Sequence, residues 1–103
     1  GGPQERIALM EGIFDCERLK QYGIQSLAVM GSNLSEVQVG KLLSKQPKET
    51  IICFDGDPAG RKGAMKAFTK IVHRGGRARM VYLEEGKDPD NLTYAEAQNI
   101  FTA

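Results

Sequence analysis

Four short apolar runs, RIALM (residues 6–10), SLAVM (26–30), TIICF (50–54) and RARMVYL (77–83), are each followed by a turn and then by helix chemistry. That alternation restricts the fold more than any other feature of the chain. Strand, helix, strand with connections this short implies βαβ units, hence parallel strands in one sheet with helices laid over its faces. TIICF has no polar alternation and two β-branched isoleucines, the pattern of a strand covered on both sides. The helices carry their own start and stop signals. The stretch 13–22 places Phe14, Leu19 and Tyr22 for burial, with Gly23 at the C′ position. Ser35-Glu36-Val37-Gln38 is a capping box with Leu34 and Val39 at the staple positions, predicting a helix over about 36–45. Pro58 suits the first turn of the longest helix, where Ala64, Ala67, Phe68, Ile71 and Val72 share a face and Gly75-Gly76 ends it. Thr93 to Glu96 is a second capping box, opening a short helix near 95–101. The expected class is α/β, with about four mainly parallel strands sandwiched by helices.

A chain of 103 residues has room for one such core. The domain is expected over 6–103, with residues 1–5 as a linker; Gly1-Gly2 resembles a cloning scar on a domain excised from a larger protein. Fourteen basic and 13 acidic residues give a net charge of +1, so any surface for nucleic acid has to be local. No apolar run nears the roughly 20 residues of a membrane span and no signal-peptide pattern opens the chain, so a cytoplasmic protein without a membrane partner is expected. Cys16 and Cys53 lack CxxC or zinc-finger spacing and read as reduced thiols.

In an open parallel sheet, ligands gather beyond the carboxyl ends of the strands. Glu11 ends the first run, Asp55 and Asp57 the third, and Asp88 and Asp90 follow the fourth, while Asp15 sits in the first turn of the first helix. Six carboxylates on one edge repel one another unless a cation joins them. Hard oxygen donors with room for water suit Mg²⁺, which binds one or two protein carboxylates plus substrate phosphates. Purely structural roles stand beside this reading: Asp57 before Pro58 is a good N-cap, and Asp88-Pro89-Asp90-Asn91 a plausible turn. Glu11 is the discriminating residue, because a strand-end Glu-Gly is neither a usual cap nor a usual turn pair.

Lys62, Lys66, Lys70 and Arg74 form a four-residue stripe on the longest helix, ordinarily a solvated face and in the minority reading a phosphate-contact surface. Arg61 and Lys62, in the first turn beside the acidic rim, and Lys87 are the candidate contacts to nucleotide or nucleic acid. His73, the single histidine, fits a helix C-terminus better than a catalytic base. There is no Ser-His-Asp set, P-loop or GxGxxG.

Glu11-Gly12 after a first strand with Asp55-x-Asp57 after a third resembles the Toprim signature of primases, topoisomerases and some nucleases. EGIFD (11–15), AVMGSNLSEVQ (28–38), FDGDPAGRKG (54–63) and LEEGKDPDNL (83–92) together are similar to the bacterial DnaG-type primases and their phage relatives. The resemblance implies a Rossmann-like Toprim fold and nucleotidyl transfer for RNA primer synthesis on single-stranded DNA. By it, Asp55 and Asp57 hold Mg²⁺, for which Mn²⁺ can substitute. Asp88 and Asp90 complete a second metal position, Glu11 is a ligand or acid/base, and Asp15 supports the edge. It further implies ribonucleoside triphosphates and a single-stranded DNA template as partners, a replicative helicase contacted through other regions, and a monomeric domain. The upstream basic subdomain of that family has no counterpart in this sequence, so little or no primer synthesis is expected from these residues alone.

Three other readings share parts of the pattern. A haloacid-dehalogenase-like phosphatase also carries FDxD, with Asp55 as nucleophile and Asp57 as general acid, but after its first strand, and it gives Glu11 no task. A Toprim nuclease or RNA-processing domain would use the same metals with water as nucleophile. A flavodoxin-like interaction module would keep the aspartates only as caps.

Overall fold

The computed structural model describes residues 6–29, 34–87 and 89–101. Four strands, β1 (Ile7–Met10), β2 (Ser26–Ala28), β3 (Thr50–Ile52) and β4 (Ala78–Met80), form one sheet in the order β2-β1-β3-β4. Every neighbouring pair is parallel, with Leu9 opposite both Leu27 and Ile52, and Ile52 opposite Met80. The strands alternate with α1 (Ile13–Gln21), α2 (Glu36–Ser44), α3 (Pro58–His73) and, after a 3₁₀ turn at Pro89–Asn91, α4 (Tyr94–Phe101). No helix among the described residues is long and apolar enough to cross a membrane.

Strand periodicity divides the core into two layers. Ile7, Leu9, Ile52 and Phe54 face one side, where Val39 and Leu42 of α2 and Ala64, Ala67 and Ile71 of α3 cover them. Ala8, Met10, Ile51 and Cys53 face the other, under Leu19 of α1 and Ala97 and Phe101 of α4. All four residues of β1 are buried, as a central parallel strand requires.

Both capping boxes form. Ser35 Oγ accepts from the Gln38 amide and Gln38 Oε1 from the Ser35 amide, with Leu34 and Val39 buried behind them. Thr93 and Glu96 exchange the same pair of bonds, so α4 starts at Tyr94, one residue before the expected position. Gly23 and Gly75 follow the last turns of α1 and α3 at φ +78° and +88°, as the C′ reading expects. The strands are shorter than their apolar runs. β4 covers three residues of the seven-residue run, because after the Val81 amide bond to Ile52 the chain leaves the ladder. The final residue of SLAVM lies outside the described residues, as do residues 1–5.

The lysine stripe is not uniformly solvated. Lys70 donates to the Leu34 carbonyl at 2.6 Å, and Arg74 to both the carbonyl and the carboxylate of Glu36 at 3.2 Å, tying α3 to the start of α2. Lys62 and Lys66 remain exposed.

Candidate metal centre

Because the strands are parallel, the residues that follow β1 and β3 emerge side by side. Glu11 uses this proximity: its Oε1 accepts a 2.7 Å hydrogen bond from the Asp55 amide, joining adjacent strand ends across 44 positions of sequence. The bond fixes the glutamate rotamer, and Oε2 takes no hydrogen bond among the described residues. Asp55 itself is half-buried.

The next residues are held by close backbone contacts. Gly56 donates to the Lys87 carbonyl at 2.7 Å and accepts from the Gly86 amide at 2.9 Å, so the loop after β3 is laced to the loop after β4. A Cβ on Gly56 would stand 2.2 Å from the Glu84 carbonyl oxygen, and one on Gly60 would stand 2.2 Å from that of Asp55. Only glycine fits at either position. Asp57, exposed at the N-cap of α3, accepts from the Gly60 amide at 2.6 Å through Oδ1. The capping role expected for Asp57 is therefore real, and it consumes one oxygen rather than the whole carboxylate.

Asp15 lies in the first turn of α1 and is buried. Its charge and that of Asp55 both act on Cys53, whose thiol is pushed up to about 12, chiefly by burial and then by Asp15 and Asp55 in turn. Cys53 is thus a protonated core residue flanked by two of the acidic candidates, and both cysteines carry free thiols. Asp90 Oδ1 accepts from Arg18 Nε at 3.1 Å, which places it against α1. Asp88 lies outside the described residues.

Among the basic candidates, Arg61 lines a recess with Asp55, Gly56, Gly60 and Tyr82. Lys87 lies 3.9 Å from Glu84, and Lys62 is exposed. The recess has a volume of about 10 Å³, room for at most one water. Two larger concavities among the described residues, of about 530 and 730 Å³, are lined by other residues.

Among the described residues, no three His, Cys, Asp or Glu side chains converge into a metal-holding set. What the fold brings together is a pair, Glu11 and Asp55, with Asp57 two residues on and Asp15 behind. That donor set fits a hard divalent cation, which needs few protein ligands when phosphates and water fill the rest of its shell. Sequence reasoning missed Gly56 and Gly60, although the glycine spacing in DGDPAG is a visible signal for close backbone approach. It also missed Arg18, for which no local signal exists.

Comparison with known proteins identifies the family of the chain. The sequence model of the Toprim-like family matches residues 8–93. The DNA primase of Pseudomonas aeruginosa is 38% identical over 103 aligned residues, covering 96% of this chain and 15% of that protein. The DNA primase of Aquifex aeolicus is 43% identical over 85 residues, covering 82% and 17%. In structure, the zinc-binding and RNA polymerase domains of the Aquifex aeolicus primase superpose with a TM-score of 0.81 at 36% identity, over 94% of this chain and 25% of that one. A DnaG primase catalytic domain bound to single-stranded DNA superposes with a TM-score of 0.76 at 33% identity, over 94% and 32%. The chain spans about a sixth of the length of the curated relatives it matches. It belongs to the Toprim-like family, and its similarity within that family runs to the catalytic core of bacterial DnaG-type DNA primases.

Proposed function

We propose that this domain is the metal-binding, nucleotidyl-transfer centre of a DNA primase, serving RNA primer synthesis on single-stranded DNA. The observation that supports the reading is the Glu11–Asp55 bond, which ties the carboxylate at one strand end to the backbone of the acid at the next, within the span that the family model matches. Glu11, Asp55 and Asp57 would hold Mg²⁺, or Mn²⁺ in its place, with Asp90 and Asp88 contributing a second position. The bound cation supplies charge neutralisation at the phosphates and lowers the pKa of the attacking 3′-hydroxyl.

The chain's own contribution is positioning. Glu11 is tied to the Asp55 amide, and close backbone contacts at Gly56 and Gly60 hold the loop that carries the two aspartates. Glu11 would act as a ligand or as the acid/base beside the 3′-hydroxyl, and Asp15 would reinforce the negative edge. Arg61, Lys62 and Lys87 would meet the nucleotide or template phosphates. The partners would be ribonucleoside triphosphates and single-stranded template, with a helicase met through other parts of a longer protein and this domain monomeric. The phosphatase reading leaves Glu11 idle, whereas Glu11 binds the Asp55 amide directly.

The test is a Mg²⁺ and Mn²⁺ titration by two-dimensional NMR on the domain and on Asp55→Asn, with thermal stability recorded at each concentration. Saturable shifts at Glu11, Asp55 and Asp57, stabilisation that grows with free cation, and loss of both in the variant are expected. Spectra that do not move, with Asp55→Asn no less stable, would overturn the metal centre and leave the aspartates as helix caps.

A further inference from the structure

Tyr82 is a large aromatic side chain that the fold leaves without a structural task. Val81 and Leu83, on either side of it, pack into the layer under α1 and α4, whereas Tyr82 borders Gly60, Arg61 and Ala64 of α3. It is 63% exposed, its ring meets no other aromatic ring among the described residues, and its hydroxyl reaches the Met80 sulfur at 3.8 Å. Sulfur is a weak acceptor, so that contact does not require a tyrosine. Tyr94, similarly exposed, differs in having a partner, since its ring meets Tyr22 edge to face with centroids 5.4 Å apart.

The place of Tyr82 is fixed relative to the acidic loop. The Val81 amide bonds the Ile52 carbonyl at 2.9 Å. After Tyr82, the backbone presses on Gly56, where a Cβ would stand 3.0 Å from the Leu83 carbonyl oxygen and 2.2 Å from that of Glu84. Tyr82 is thus held between two contacts to β3 and to the loop that carries Asp55 and Asp57, and Asp55, Arg61 and Tyr82 border one recess. An exposed ring beside a carboxylate and a guanidinium matches the parts of a ribonucleoside triphosphate, whose base lies one sugar away from its α-phosphate. The recess admits at most one water, so a base has to lie on the ring and not inside the recess.

We propose that Tyr82 is the stacking residue for the base of the incoming ribonucleoside triphosphate, with Arg61 on the same recess meeting its phosphates. This rests on the nucleotidyl-transfer reading above and adds a base contact to it. Every base has a π face, so stacking tolerates all four. A templated reaction requires that tolerance, because the template selects the base and the protein has to hold whichever one arrives.

The experiment titrates the whole chain at saturating Mg²⁺ with ATP, CTP, inorganic tripolyphosphate or a single-stranded oligodeoxynucleotide, by two-dimensional NMR, for wild type, Tyr82→Leu and Tyr82→Phe. Tripolyphosphate brings phosphates and chelates Mg²⁺ but has no base. Tyr82→Leu should weaken ATP binding by about fivefold or more, CTP binding by less, and tripolyphosphate binding not at all. Tyr82→Phe should bind ATP as wild type does. In wild type the Tyr82 ring protons should move upfield saturably with ATP and stay in place with tripolyphosphate. Equal weakening of ATP and tripolyphosphate would mean that Tyr82 acts through the loop and not on the base, and overturns the proposal. So does unchanged ATP affinity in Tyr82→Leu, an absent ATP response in wild type, or a ring that responds to the oligodeoxynucleotide and not to ATP. Each of these leaves the metal centre standing if Glu11 and Asp55 still respond saturably to Mg²⁺; no such response overturns both.

Discussion

Glu11 has two separable tasks, and substitutions can part them. Its Oε1 satisfies the Asp55 amide, and its charge belongs to the proposed cation site. Glu11→Gln keeps an acceptor oxygen and loses the charge, so stability in urea should change little while the Mg²⁺ response falls away. Glu11→Ala leaves a half-buried amide without its partner, which costs about 1–3 kcal/mol. If the two variants unfold at the same urea concentration, the bond has no structural weight and Glu11 serves the cation alone. Glu11 was legible as functional because Glu-Gly at a strand end has no common local explanation. Its partner was not, because a side chain bonded 44 residues away leaves no trace in either local sequence.

At the scale of elements, the helix ends make sharp predictions. The Glu96 carboxyl is held below its ordinary value of 4.5, first by its hydrogen bond from the Thr93 amide and then by the bond with the Thr93 side chain. The ionised form therefore favours the folded α4. That contribution is complete above the ordinary value and is lost as the pH falls through the lowered folded value. A ¹³C titration of the Glu96 carboxyl should show a midpoint below 4.5, with faster amide exchange in α4 at pH values beneath it. The stripe on α3 divides in the same way. Lys70→Ala should destabilise the domain by about 1 kcal/mol, because it removes a charged donor from the half-buried Leu34 contact. Lys66→Ala should leave the urea midpoint unchanged, since Lys66 is exposed. Equal effects would mean that the α3–α2 tie is not held by Lys70.

For the molecule as a whole, a net charge of +1 leaves little to hold a polyanionic template. The isolated chain is expected to make no detectable templated primers in an assay where a full catalytic core of the same family does. Template-directed synthesis by these 103 residues alone would show that the rim binds nucleic acid unaided.

The succession of elements was settled by the sequence alone, because the forces that specify it are local. Capping boxes at Ser35 and Thr93 satisfy amides three residues away, glycines end helices where the backbone turns left-handed, and a run such as TIICF can bury both its faces only inside a parallel sheet. Parallel strands in turn dictate that Glu11 and Asp55 share one edge. The strand order β2-β1-β3-β4, the Glu11–Asp55 bond, the contact that forbids a side chain at Gly56 and the capture of Asp90 by Arg18 were decided by tertiary structure. Each joins segments tens of residues apart, and such pairings are chosen by how whole faces pack together, a choice no single stretch of the chain encodes.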